Sequence, residues 1–308
     1  MLNSHKAPHA GNSYRYIFLG ASGRIGRLLR AVWSLGDARN LQVDWQFRHE
    51  MPELKNTLTW PDFSVLDPLL RHTDLFGDID GFFVFLGDAQ KASQTNESAL
   101  TAHVTLVEQA LNAAASIDVR RVIVASSSAV YGAGHGVPFH ESDVLEPVNA
   151  YGVAKCEMEK VCRARANTLG IDLCFLRIGN VAGADALLGS AALWQQGDAP
   201  VVLDIFPDGQ GPRRSYIGPQ SLAFVLSGLA QQSGLLADVI NVAAPQSVSM
   251  NALLDAAGID WQARYVAASP LQDIALNCSL LEELVLVTNA DSAPSNIIGQ
   301  WRIALGAR

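Results

Sequence analysis

Lysine, disulfide spacing and long apolar runs are all scarce in this chain of 308 residues. The four cysteines (Cys156, Cys162, Cys174 and Cys278) show no CxxC or CxxH spacing. That removes zinc-ribbon and thioredoxin-type readings and fits reduced thiols in a cytoplasmic protein. No stretch reaches the ~18 apolar residues of a membrane span, so no membrane partner is expected. Residues 1–13 lack the hydrophobic core of a signal peptide and read as a flexible tail. Lys and Arg total 22 against 30 Asp and Glu, a net charge of −8. With no basic surplus to neutralise phosphates, a general nucleic-acid binder is excluded. The histidines show no HExxH spacing, and no metal site is expected.

What the chain has is core-forming material. Hydrophobic residues make up 49% and charged residues 17%, a foldable composition. Short apolar runs alternate with helical spacing. Strands are predicted at 16–19, 43–48, 56–60, 81–87, 121–125 and 173–178. Helices are predicted from Gly20 to about Leu35, at 96–115 and at 150–169. Apolar strands separated by helices mean an α/β fold, a doubly wound parallel sheet of Rossmann type covered on both faces. We divide the chain into a dinucleotide-binding domain at 14–178 and a smaller C-terminal substrate lobe at 179–308. Part of 215–245 is expected to return to the sheet. Shorter helices are predicted at 220–232 and 249–257.

Gly20-Ala21-Ser22-Gly23-Arg24-Ile25-Gly26 follows the first strand and opens the first helix. Glycines let the backbone turn sharply and approach a pyrophosphate, whose charge the helix N-terminus favours. Gly20, Ser22, Gly23, Arg24, Ile25 and Gly26 are therefore candidate cofactor contacts, with Leu86 at the end of a later strand. The tip of the second strand should meet the adenosine ribose. Arg48 there suits the 2′-phosphate of NADP, whereas a register placing Asp44 at the tip suits NAD. The reading is NADP or NAD, with NADP preferred.

Tyr151-Gly152-Val153-Ala154-Lys155 places a phenol and an amine four residues apart, on one helix face. A phenol with an ordinary pKa of ~10 is a weak base at neutral pH, and a nearby ammonium stabilises its phenolate. Composition alone gives roughly 0.1 chance matches to this spacing. The strand at 121–125 ends in Ser126-Ser127-Ser128-Ala129-Val130-Tyr131-Gly132, so hydroxyls sit where this fold does its chemistry.

These segments, with Pro138-Phe139-His140-Glu141, Glu159, Leu176-Arg177-Ile178-Gly179-Asn180-Val181 and Asp208-Gly209…Arg213-Arg214-Ser215-Tyr216-Ile217, occur in a fixed order. Together they resemble the extended short-chain dehydrogenase/reductase superfamily, of the NAD-dependent epimerase/dehydratase type, over about residues 15–290. The resemblance implies Tyr151 as acid/base, Lys155 as its activator and a nicotinamide-ribose ligand, and Ser127 as the hydroxyl partner with Ser128 the alternative. It implies Asp62 near the adenine, and Asn180 and Arg214 on substrate phosphate. It also implies a homodimer through the helices at 96–115 and 150–169, whose apolar faces look wider than sheet packing needs.

Departures from the pattern bear on the reaction. Ser128 and Ala129 stand where 4,6-dehydratases of this family carry Asp-Glu, which argues against dehydration. Asp88 places an acid near the cofactor. Ile217-Gly218-Pro219-Gln220 replaces the usual Val-Asp-Asp-Leu, which leaves room for a substrate smaller than a sugar nucleotide. His135 and His140 read as solvated loop residues and Glu141 as a turn or capping acid. The expectation is an NAD(P)-dependent oxidoreductase or epimerase acting on a sugar nucleotide or a smaller polyol or carbonyl. The alternative is a non-catalytic NAD(P)-binding sensor on the same fold.

Overall fold

The computed structural model describes residues 13–33, 40–87, 97–191 and 200–306. In chain order the first six strands are β1 (Tyr14–Leu19), β2 (Leu41–Phe47), β3 (Thr57–Thr59), β4 (Gly81–Val84), β5 (Arg121–Ser127) and β6 (Asp172–Ile178). The later strands are β7 (Asn180–Val181), β8 (Val201–Ile205), β9 (Arg213–Ile217), β10 (Val239–Val242), β11 (Ser247–Ser249), β12 (Trp261–Tyr265) and β13 (Asp273–Ile274). The helices are α1 (Arg24–Trp33), α2 (Asp67–Phe76), α3 (Glu97–Ser116), α4 (Ala150–Leu169), α5 (Ala186–Ala191), α6 (Pro219–Ala230), α7 (Met250–Ala257), α8 (Ser279–Leu284) and α9 (Pro294–Ala304).

Seven strands form one parallel sheet in the order β3-β2-β1-β4-β5-β6-β10. The chain leaves β1 for β2 on one side and returns through β4 on the other. This reversal opens a crevice at the carboxyl ends of β1 and β4, the binding position in doubly wound sheets. Alternation along the central strands explains the two covered faces. Tyr16, Phe18, Phe83 and Ile123 join one core cluster, beneath α1, α6 and the C-terminal lobe. Ile17, Leu19, Phe82, Val84, Val122 and Val124 join the other, beneath α3 and α4. The expected return to the sheet is made by β10 alone, beside β6. Neighbouring β9 instead centres a separate small sheet with β7, β11 and β13.

Several local expectations change. The second strand ends at Phe47, where its pairing with β3 stops at Thr59, so Arg48 is the first residue past the tip. Asp44 lies mid-strand, opposite Ile17 in register. It is buried and accepts from Arg15 Nε at 2.6 Å and pairs with His72 Nε2 at 2.8 Å. The register that put Asp44 at the ribose is therefore wrong, because three further strand residues follow it. Helix α2 had no sequence expectation, and Pro68 in its first turn suits a helix start.

Helices 3 and 4 fall at the expected places and pack along each other. That contact consumes their apolar width: Cys162 Sγ reaches the Val104 carbonyl at 3.9 Å, and Arg165 bridges to Asn112. Among the described side chains, exposed residues include Thr101, Ala102, Thr105 and Asn112 on α3, and Val153, Glu157, Lys160 and Ala164 on α4. Among the described residues, no helix is long and apolar enough to cross a membrane.

Candidate active site

A cleft of about 520 Å³ opens over the carboxyl ends of β1, β4 and β5. Its lining includes Gly23, Arg24, Ile25, Gly26 and Leu86 from the glycine turn and β4 end, together with Ser127, Tyr151, Lys155 and Asn180. A second cavity, about 560 Å³, lies between α1, α6 and α9 and holds none of these groups.

The glycine turn is shaped by backbone contact. Gly20 has φ +98°, and a Cβ there would lie 2.4 Å from the Phe85 carbonyl oxygen. A Cβ on Gly26 would lie 2.5 Å from the Gly20 oxygen, so α1 can start this close to β1 only with glycine at that position. Buried Gln46 pins the turn, accepting from Gly20 N at 3.2 Å while donating to the Trp60 carbonyl at 2.7 Å. The first turn of α1 carries no acidic residue and faces the cleft. Its free N–H groups and dipole suit a pyrophosphate, so the turn fits a dinucleotide. Gly20 and Ser22 belong to the turn without reaching the cleft wall.

Tyr151 is presented by the first turn of α4. Asn149 caps that helix, its side-chain oxygen accepting from Gly152 N at 2.8 Å. A Cβ on Gly152 would lie 2.3 Å from the Ala129 oxygen, so the glycine lets the helix start against the short 3₁₀ turn Ser128–Val130. This contact brings Tyr151 to Ser127. Burial raises the phenol pKa, while the Ser127 hydrogen bond and the Arg24 charge pull it down. Ser127 also caps the 3₁₀ turn, accepting from Ala129 N at 3.2 Å. Ser128, the alternative partner, does not line the cleft.

Lys155, one turn along α4, is 3% exposed. Its ammonium donates to the Ala125 carbonyl at 2.8 Å and sits 5.8 Å from the Tyr151 ring centre. Burial pushes its pKa down to about 8, opposed by the negative charge of Glu159. One further turn along, Glu159 forms a buried two-armed ion pair with Arg177 on β6, with contacts of 2.8 and 3.2 Å. Ser126 donates to the same carboxylate. Arg177 also donates to Tyr131 Oη at 3.0 Å and to the Glu141 carbonyl at 2.9 Å, and Tyr131 donates to Asn241 at 2.7 Å. Glu141 is not a helix cap. Its carboxylate accepts from Asn241 N at 2.9 Å, tying the loop before α4 to β10.

Three other expected site residues do not line this cleft. Arg48 is exposed past the end of β2. Asp62 is exposed and accepts from Ser64 N at 2.9 Å and Ser64 Oγ at 2.7 Å, closing its own turn outside the cleft wall. Arg214 spends its guanidinium on the carbonyls of Arg213, Leu271 and Gln272 and does not line the cleft. Asp88 falls outside the described residues. His103, buried on α3, meets the Tyr151 ring edge-on at 6.1 Å and fills the space beside Gly87. No motif marks it; only the helical spacing of α3 places it inward. Asp185 also escaped the sequence reading and lines the cleft beside Asn180.

Solved structures share this arrangement of strands and helices. A UDP-glucuronic acid 4-epimerase from Bacillus cereus, solved with UDP-glucuronic acid and NAD, superposes with a TM-score of 0.71 at 18% identity, covering 96% of this chain and 100% of the other. A UDP-N-acetylglucosamine 4-epimerase from the same organism gives 0.72 at 15% identity, with the same coverage. An uncharacterized UDP-glucose epimerase of Bacillus subtilis is 29% identical over 175 residues, 54% of this chain and 55% of that protein. A UDP-glucose 4-epimerase of Azospirillum brasilense is 37% identical over 75 residues, 24% of this chain and 22% of that one. The chain thus matches between about a fifth and about half of the length of these curated relatives. The model of the NAD dependent epimerase/dehydratase family matches residues 17–192, more than half of the sequence, and the chain belongs to that family.

Proposed function

We propose that this chain is an NAD(P)-dependent oxidoreductase or epimerase in which Tyr151 moves the proton. The observation that carries the reading is the meeting of Ser127, Tyr151 and Lys155, from β5 and α4, in the lining of the cleft that the glycine turn also lines. Bound along that turn, a nicotinamide dinucleotide supplies hydride exchange with a carbinol or carbonyl carbon. Gly23, Arg24, Ile25 and Gly26 would hold its pyrophosphate and Lys155 its nicotinamide ribose.

Burial keeps the Tyr151 phenol protonated at neutral pH, ready to donate to a carbonyl oxygen. Ser127, already hydrogen-bonded to Tyr151, orients that oxygen. In the reverse direction the phenolate left by that donation takes back the hydroxyl proton, and the Arg24 charge favours this anion. Lys155, held by the Ala125 carbonyl with its ammonium 5.8 Å from the phenol ring centre, would add positive charge beside that anion. Ser128 and Ala129 offer no acid to expel a hydroxyl as water, which supports redox or epimerase chemistry over 4,6-dehydration. Arg48, free past the end of β2, supports NADP at the ribose. The expected homodimer through α3 and α4 is decided by light scattering of the full chain.

Tyr151→Phe tests the reading. Turnover should fall by roughly 10²–10⁴-fold, while NAD(P)H binding, followed by nicotinamide fluorescence, stays within a factor of about two. Unchanged turnover would refute the assignment, and a chain that binds cofactor without turnover on any substrate would be the sensor.

A further inference from the structure

Three consecutive residues at the end of β5 each hold one side chain from a single stripe of α4. Ser127 hydrogen-bonds Tyr151. The Ala125 carbonyl accepts from Lys155 Nζ at 2.8 Å, and Ser126 Oγ donates to Glu159. Tyr151, Lys155 and Glu159 follow at four-residue steps along α4, which puts about 5–6 Å between neighbouring Cβ atoms on one helix face. The proposed reaction uses the first two of these side chains. Glu159 is buried and titratable, and the reaction as described gives it no task.

The charges around Lys155 show what that task is. Its ammonium touches neutral atoms, the Ala125 carbonyl oxygen and, at 3.8 Å, Met158 Sδ. A buried cation placed this way loses hydration without gaining an ion pair in contact. On β6, Arg177 is a second buried cation. On α4, burial raises the thiols of Cys156 and Cys162, the latter to about 12, so both stay neutral. On α3, Glu108 acts on Cys162, and His103 meets the Tyr151 ring. Arg24 on α1 acts on the phenol. The anion that opposes the burial of Lys155 is Glu159. Its carboxylate is fixed by three donors: Arg177 Nη2 at 2.8 Å, Arg177 Nε at 3.2 Å and the Ser126 hydroxyl. One carboxylate thus serves two buried cations, Arg177 in contact and Lys155 one helical turn away.

We propose that Glu159, clamped by Ser126 and Arg177, is a positioning residue that keeps Lys155 in its charged form beside Tyr151 and so sets the alkaline limit of the reaction. This rests on the function proposed above and deepens it. Without the carboxylate, burial and the Arg177 charge both act against the Lys155 proton.

The pH dependence of stability reads that proton without a substrate. Urea unfolding of the full chain is followed from about pH 6 to about pH 11, with and without Lys155→Met, in the wild type and in Glu159→Gln. The difference made by Lys155→Met isolates this one group. In the wild type that difference should begin to shrink near pH 8. In Glu159→Gln the change should start about one unit lower, the effect of losing a nearby opposite charge. At about pH 6, Lys155→Met should then favour folding about tenfold more than it does in the wild type. Glu159→Asp keeps the charge and should keep the wild-type position. Should Glu159→Gln fail to fold, Glu159→Gln/Arg177→Met removes both charges of the pair and should move the change in the same direction. A purely structural Glu159 would lower stability equally at every pH. An unmoved Lys155 transition in the chains carrying Glu159→Gln overturns the inference, as does a Glu159→Asp chain that shifts equally far. The alkaline limb of Tyr151-dependent turnover should move down by the same amount, and a limb that stays while the stability transition moves also overturns the inference. Turnover that survives Tyr151→Phe overturns the proposed function instead, and the stability cycle still decides whether Glu159 controls the Lys155 charge.

Discussion

Lys155 Nζ donates to the Ala125 carbonyl oxygen at 2.8 Å, fixing the amine of the Tyr-x-x-x-Lys pair to the end of the strand that supplies Ser127. Two elements distant in sequence are thereby held at one register, and the ammonium is almost wholly buried at the edge of the cleft.

That enclosure predicts a trade of stability against activity at Lys155. Its folded pKa, about 8, lies below the ordinary 10.5. Below about 8 both folded and unfolded chains carry the proton, and burial of the charge weakens the fold. Between about 8 and 10.5 the unfolded chain binds more protons, so stability rises with pH. Lys155→Met should therefore be more stable than the wild type at pH 7, by at most about 3 kcal/mol. The advantage should fade by pH 10, with activity lost throughout. Urea unfolding at the two pH values checks this; a Met variant less stable at pH 7 contradicts it.

Glu159 and Arg177 are 3% and 4% exposed, and each is the other's counter-ion. Removing one leaves a buried unpaired charge. Glu159→Ala should lose roughly 3–5 kcal/mol, and the double variant Glu159→Ala/Arg177→Met should recover part of the loss. Denaturant midpoints of the single and double variants provide the measurement. Equal losses would show that the ion pair is not the cause.

At the glycine turn the obstruction is backbone, which cannot step aside. The added Cβ of Gly26→Ala would lie 2.5 Å from the Gly20 oxygen and 2.8 Å from Ala21 Cα. We expect a loss of about 1–3 kcal/mol and the disappearance of NAD(P)H binding. Gly23→Ala meets only the Gly20 oxygen, at 3.2 Å, and should lose less stability. Comparing thermal midpoints with fluorescence titrations of the two variants tests the ranking.

Arg48 emerges unburied just beyond β2, and Asp44 is occupied with Arg15 and His72. Arg48→Ala should weaken NADPH about tenfold, or about 1.4 kcal/mol, and leave NADH unchanged. Fluorescence titration with both cofactors decides it. Equal weakening of both would remove Arg48 from the ribose site.

Much of this molecule could be read before folding because its signals are local. The alternation from Tyr16 to Leu19, the glycine turn and the four-residue step from Tyr151 to Lys155 each depend on strand or helix geometry within one short segment. So do the bounds of α4, which match the reading at 150–169. The family resemblance points to Ser127, and the Gly152 contact with Ala129 brings the start of α4, with Tyr151, against the turn that follows Ser127.

Partnership across the sheet was not legible in the same way. Nothing near Asp44 signals that Arg15 and His72, 29 and 28 residues away, will neutralise it inside the sheet. Likewise, nothing near Arg214 announces that Leu271 and Gln272 will take up its guanidinium. The apolar width of α3 and α4 was visible, but its use against each other required the packed pair. Order along the chain therefore determined the architecture and the candidate residues Ser127, Tyr151 and Lys155. Which polar groups face the cleft and which are spent on internal partners was decided only by tertiary packing, because hydrogen-bond demand is met by proximity in space and not by neighbours in sequence.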